Sequence, residues 1–248
     1  MTASQSRPLQ ILILDNHREE SSFGCPNLFG SVLRAAPAGS EVRVRRGPDL
    51  DFESELNRRI DALLISGSVT SCLPPYEDWV RAQDEFIKRF IAKKAPVLGV
   101  CFGHQALARC LFEMADQKPQ LSKSQRAEVG WQSLRILRET ELFRGLESGF
   151  VSYQSHYEEV TALPPGTIHL ADSDRCNVQA FQLEGAPIFG IQFHPEHPLE
   201  YGEAALKRKI EKGERGDWIL NPGQGPKLYQ EKVGRMIFGN FFKIAQSK

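Results

Sequence analysis

A cysteine framed by glycines, Gly99-Val100-Cys101-Phe102-Gly103, is the pattern in this chain most suited to chemistry. The apolar run Pro96 to Val100 ahead of it reads as a short buried strand. Behind it, Ala106, Leu107, Cys110 and Leu111 recur at helical spacing. Strand, sharp turn and helix with a nucleophile at the turn is the geometry of a nucleophile elbow. Glycines suit such a turn because they tolerate unusual backbone angles and close approach. A helix N-terminus also offers a field of unpaired N–H groups, which favours a thiolate over a thiol. A structural cysteine in an ordinary connection fits the same five residues, so the reading depends on partners elsewhere.

A thiol nucleophile needs a base, and the base needs an orienting group. His194-Pro195-Glu196 follows the apolar run Ile188 to Phe193. In extended chain residues i and i+2 face one side, and a following proline favours extended backbone at the histidine. Glu196 is then placed to accept from one ring nitrogen while the other faces sulfur, as in a triad. A solvent-facing loop histidine is the alternative for His194 taken alone. Acyl transfer also needs oxyanion donors, one of them normally the N–H after the nucleophile, here Phe102. Gly67 or Ser68 is the candidate for the second, although a plain strand-to-helix turn explains Gly67 equally well.

The elements that must position these groups alternate. Gln10–Leu14, Glu41–Arg45, Asp61–Ile65 and the elbow strand are strand candidates. Between them lie helix candidates: one capped by Asn27 and running to Ala36, a short one over Glu53–Ile60, and Tyr76–Lys94 with a strongly apolar face. This alternation predicts an α/β fold with a mostly parallel central sheet flanked by helices. Ligands gather at the carboxyl ends of such strands, so the loops after Leu14, Ile65 and Val100 are expected on one edge. The second half is strand-rich, with candidates at Val129–Leu137, Phe150–Tyr153, Thr167–Leu170, Val178–Leu183 and Ile188–Phe193. Glu203–Lys212 and Lys227–Ile244 read as helices. One domain over residues 1–248 is expected, with 197–248 a helical C-terminal extension of it.

Composition narrows the class. Lys plus Arg and Asp plus Glu balance at 31 each, so nothing points to a nucleic-acid surface. No apolar run reaches the roughly 18 residues of a membrane span, and the N-terminus has no secretory h-region. The 5 cysteines are scattered without a C-x-x-C pair, so neither structural zinc nor any other metal is expected. A reduced, cytoplasmic protein follows as the expectation.

Taken together, Gly99-Val100-Cys101-Phe102-Gly103-His104-Gln105 and His194-Pro195-Glu196 resemble the class I (triad) glutamine amidotransferase family, with its G-x-C-x-G-x-Q elbow and H-P-E string. The resemblance implies a flavodoxin-like sheet and needs no cofactor. It implies Cys101 as nucleophile, His194 as base, Glu196 as orienter, and Gly67 with Phe102 as oxyanion donors. The family's S-G-G-P loop stands here as Ser66-Gly67-Ser68-Val69, without the second glycine and the proline. Its S-H-x-D segment stands as Ser155-His156-Tyr157-Glu158, with glutamate for aspartate. The resemblance implies that main chain near Tyr157 and Glu158, with the Gln105 side chain, grips glutamine. Glu128-Val129-Gly130-Trp131 is similar to a stretch of the stand-alone branch resembling GMP synthase amidotransferase domains.

Three functions remain open on sequence. A glutaminase-type amidotransferase releases ammonia from glutamine and supplies a separate acceptor-activating enzyme, since no G-x-x-x-x-G-K-[ST] phosphate loop is present. A γ-glutamyl peptidase uses the same triad on a conjugate, with the Arg18–Pro26 loop and the C-terminal tail shaping its mouth. A regulatory binding protein needs neither nucleophile nor base. His17 and His197 read as loop residues, His169 as a strand-face residue, and Cys110, Trp79, Phe86 and Phe90 as core.

Overall fold

The first strand shows how the sheet becomes a buried layer. In β1 (Gln10–Asp15), Ile11 and Ile13 enter one apolar core while Leu12 and Leu14 enter another on the opposite face. Side chains alternate along a strand, so a strand apolar at every position is covered on both faces. The same split recurs in β3 (Ala62–Ile65) and β4 (Val97–Val100). The computed structural model describes residues 7–17, 24–49 and 51–248. Most of the Arg18–Pro26 loop therefore lies outside the described residues.

β2 (Glu41–Arg46), β1, β3, β4 and β9 (Ile188–Ile191) lie side by side in that order, all parallel. This is the doubly wound order in which ligands collect beyond the carboxyl ends. β9 then passes to antiparallel neighbours β8 (Ala180–Leu183), β7 (Thr167–Asp172) and β5 (Leu121–Ile136). β5 also forms a long hairpin with β6 (Gly149–Val160). Helices α1 (Gly24–Ala35) and α7 (Glu231–Gln246) cover one face. The other face carries α2 (Phe52–Leu56), α3 (Asp78–Ala92) and α4 (Phe102–Met114).

Several boundaries move from their sequence expectations. α1 starts at Gly24, ahead of Asn27. β5 and β6 outrun their apolar cores because the ladder between them, from Leu121↔Val160 to Arg135↔Gly149, supplies the backbone pairing that polar residues do not advertise. The 197–248 stretch contains α5 (Leu199–Glu211), α6 (Gly225–Leu228) and α7, but also β10 (Ile219–Leu220), which pairs parallel with β5. α7 buries Val233, Ile237, Phe238 and Phe241 in the core that holds Ile11 and Leu28. Among the described residues, no helix is long and apolar enough to cross a membrane.

Candidate active site

The elbow forms because its turn leaves no room for side chains. A Cβ on Gly99 would meet the Gly103 carbonyl oxygen at 2.4 Å, and one on Gly103 would meet the Ile65 carbonyl oxygen at 2.4 Å. These contacts press β4, α4 and β3 together at the turn. Cys101, at the N-cap of α4, takes φ 51° and ψ −103°. A non-glycine residue in this region is strained, and such strain is held only where the surroundings over-determine it. Here the Cys101 N–H donates to the Ile191 carbonyl at 2.8 Å, and the Cys101 carbonyl accepts from Gln105 at 3.1 Å. The Phe102 N–H that follows belongs to the first helical turn, which has no intrahelical acceptor.

His194 is fixed from three sides. Its N–H donates to the Tyr153 carbonyl at 2.9 Å, tying it to β6. Its Nδ1 donates to Glu196 Oε1 at 2.7 Å, and the ring also hydrogen-bonds Cys101. The His197 ring stacks on it with centroids 4.7 Å apart and planes within 2°. The His–Glu pair does not meet by the extended alternation expected from Pro195. A tight turn brings it together, with the His197 N–H reaching the His194 carbonyl at 3.4 Å. Burial works to lower the His194 pKa, but Glu196 and Cys101 outweigh it and push it up to about 10. Burial pulls Glu196 the other way, yet His194 and His197 hold its carboxyl below the usual range. His197, desolvated more than Glu196 compensates, is lowered to about 3.

Gly67 completes the constellation. A Cβ there would sit 3.1 Å from His194 Cε1 and 3.5 Å from Cys101 Cβ, in the gap between sulfur and ring. The loops after β1 and β3 are joined by the Asn16 N–H donating to Ser66 Oγ at 2.9 Å, and Ser68 Oγ donates to the Asn16 carbonyl at 2.7 Å. The shared edge expected from the parallel order is thus present.

Cys101, His194, Glu196 and Gly67 open onto one cavity of about 440 Å³. Gln105, Ser155, His156, Tyr157 and Glu158 line it as well, whereas Phe102 is buried with its ring 5.9 Å from Trp79. Gln105 Nε2 donates to the Glu158 carbonyl at 2.7 Å and to Gln192 Oε1 at 3.0 Å. The His156 ring is held by Glu128 Oε2 at 2.9 Å. The Glu158 carboxylate leaves the cavity, accepting from Ser71 Oγ at 2.5 Å and the Cys72 N–H at 2.7 Å.

Two groups of ligating atoms cluster within 4.8 Å: Glu128, His156 and Cys176, and His194, Glu196 and His197. In the first, Glu128 already accepts from His156, Ser173 Oγ at 2.7 Å and Gln179 Nε2 at 2.5 Å, an arrangement built for hydrogen bonds.

Sequence reasoning missed four wall residues. His17, read as a loop residue, lines the cavity and bonds Asp15 Oδ1 at 2.8 Å. His197, read as loop decoration, carries the stack on His194. Tyr201 and Lys209 of α5 line the side opposite the elbow. Their signal was present only as an i, i+4, i+8 stripe through Ala205, unreadable until α5 was docked.

Comparison with known proteins places this geometry among relatives. The family model for glutamine amidotransferase class-I matches residues 32–212. The glutamine-hydrolyzing subunit of the GMP synthase of Methanosarcina barkeri is 38% identical over 206 residues, covering 83% of this chain and 97% of that one. Its counterpart in Methanopyrus kandleri is 30% identical over 198 residues, covering 79% and 95%. A crystal structure of a glutamine amidotransferase from Thermotoga maritima superposes with a TM-score of 0.74 at 17% identity, over 98% of this chain and 100% of that one.

Proposed function

Because the chain belongs to the class-I glutamine amidotransferase family and is an enzyme of that class, we propose that Cys101 hydrolyses the side-chain amide of glutamine through a γ-glutamyl thioester. The observation that carries this is the gap at Gly67, walled by Cys101 on one side and His194 on the other. A carbonyl group seated there meets sulfur and base together.

The Cys101 sulfur attacks the amide carbon while its proton rests on His194. The oxyanion is received by the Phe102 N–H and by main chain at Gly67, a stabilisation worth about 2.7–4 kcal/mol per donor in comparable sites. His194, which Glu196 keeps protonated, passes the proton to departing ammonia. It then takes a proton from water as water attacks the thioester, releasing glutamate and regenerating the thiol. Glu196 holds the ring in the required orientation throughout. Gln105, Ser155, His156 and the main chain at Tyr157 and Glu158 grip the glutamyl unit.

The ammonia passes to a separate acceptor-activating chain. Two things support this: the relatives are named as the glutamine-hydrolyzing part of GMP synthase, and this sequence has no nucleotide phosphate loop. The test is to incubate the purified chain with glutamine and measure glutamate and ammonia, with Cys101→Ala as control. Equimolar products that vanish in the variant are expected. Products that persist in Cys101→Ala overturn the assignment.

A further inference from the structure

Helix α5 turns one stripe to the cavity, Tyr201, Ala205 and Lys209, each four residues from the next. The stripe starts beside the base, where the Tyr201 ring lies 4.1 Å from that of His197. The helix is firmly seated. Trp131 Nε1 donates to Glu203 Oε1 at 2.7 Å, and a Cβ on Gly202 would strike the Trp131 ring at 2.6 Å. The stripe ends at Lys209, whose Nζ donates to the Tyr157 hydroxyl at 2.6 Å and lies 4.6 Å from that ring's centroid. Tyr157 in turn donates to the Glu214 carboxylate.

Lys209 is the only lysine or arginine lining the cavity among the described residues. It makes no ion pair among them; the hydrogen bond it forms is to a phenol. Burial lowers its pKa, with Glu214 and Cys101 opposing. An ammonium has three donors, and one partly withdrawn from water is satisfied best by an anion. The space between Lys209 and the elbow is open.

We propose that Lys209, steadied by Tyr157, forms a carboxylate subsite of this cavity and thereby sets which γ-glutamyl amides are accepted. The inference rests on the amide-hydrolysing reading above and names a substrate determinant for it. Two carboxylates can fill the subsite: the α-carboxylate of the glutamyl unit, or one on the departing amine, as in a γ-glutamyl amino acid.

Two substrate pairs separate these sources. One is L-glutamine against L-glutaminamide; the other is γ-glutamylglycine against γ-glutamylmethylamide. Lys209→Met is expected to raise KM about 10-fold or more for the carboxylated member of one pair and to narrow that pair's kcat/KM ratio accordingly. Lys209→Arg retains most of the ratio. Ratios in Lys209→Met equal to wild type in both pairs overturn the subsite, as does a loss shared equally by both members. Release of no amine from any of the four by the wild type refutes the hydrolytic reading instead. The subsite is then read by protection of Cys101 from iodoacetamide. Carboxylated ligands must protect better than their neutral partners in wild type and lose that advantage in Lys209→Met; equal protection refutes it.

Discussion

Glu196→Gln removes a charge while keeping the shape of the side chain, and so isolates what holds His194 protonated. The amide oxygen can still accept across the 2.7 Å contact from Nδ1. A hydrogen bond to a charged group contributes about 1.5–3 kcal/mol and a neutral one about 0.5–1.5, so about 1 kcal/mol or more is lost. Glu196 Oε2 is buried and unpartnered among the described residues, and an NH₂ in its place becomes an unsatisfied donor costing about 1–3 kcal/mol. Stability near neutral pH should therefore fall by about 2–4 kcal/mol. The wild-type pair has a definite pH signature. The native state binds His194's proton up to about 10, whereas an unfolded histidine releases it near 6.5, so this stability is full below about 6.5 and drains away as pH rises to about 10. Glu196 is lowered from 4.5, so on the acid side the stability is lost as pH falls below that value. In the variant, burial alone acts on His194 and the alkaline decline disappears. Urea unfolding at about pH 5.5, 7.5 and 9.5 should show a gap between the proteins that is widest at about 5.5 and shrinks toward 9.5. Loss of the orienting carboxylate should also lower kcat by about 10²–10⁴. A gap that is flat or widens with pH, or kcat within about twofold of wild type, refutes the coupling of this pair.

Gly67→Ala places a methyl 3.1 Å from His194 Cε1, against a ring already held by Glu196 and His197. It should cut kcat about 10-fold or more, since small misplacements at the reacting centre are costly; a glutaminase assay with unchanged kcat shows that the gap is not used. Asp84→Asn breaks a buried bidentate pair in which Arg109 Nε and Nη2 donate at 2.9 Å and 2.6 Å. Leaving that guanidinium unpaired should cost about 3–5 kcal/mol in urea unfolding, and a loss below about 1 kcal/mol contradicts it. His197→Ala removes the ring stacked on the base and should lower kcat severalfold, while His197→Phe keeps a ring there and should retain most of the rate. Equal effects from the two would mean that the stack does not position His194.

The triad and the parallel edge were legible for a physical reason: each is specified by short-range sequence. A sharp turn needs Gly99 and Gly103, and buried parallel strands need unbroken apolar runs such as Leu63 to Ile65. The rest of the site is specified at long range. His197 matters because of a stack that exists only once the turn after β9 has formed, and Lys209 because Trp131 holds α5 against the sheet. Neither has a local pattern. The polar start of β5, Leu121 to Gln125, was equally silent because its pairing with β6 replaces side-chain burial as the signal.

The Glu128 and Glu158 side chains show how that long-range part is organised. Both are carboxylates next to the cavity, yet each is turned away from it. Glu128 secures the His156 ring, and Glu158 reaches the loop after β3 at Ser71 and Cys72. Arg109 donates to the Cys72 carbonyl at 3.3 Å from the same buried pair that holds Asp84. A continuous chain of bonds therefore runs from α3 through α4 and the loop after β3 to the end of β6. The loop that carries Gly67 is pinned at its far end, and the main chain at Glu158 is fixed where Gln105 meets its carbonyl. Glutamate at 158 has one methylene more than aspartate, and in this cavity that length is used for the span to Ser71. The charge partner for a substrate must then come from elsewhere, and α5 brings Lys209 to the opposite wall. Bracing on one side and charge on the other give the cavity a direction that the elbow alone does not supply.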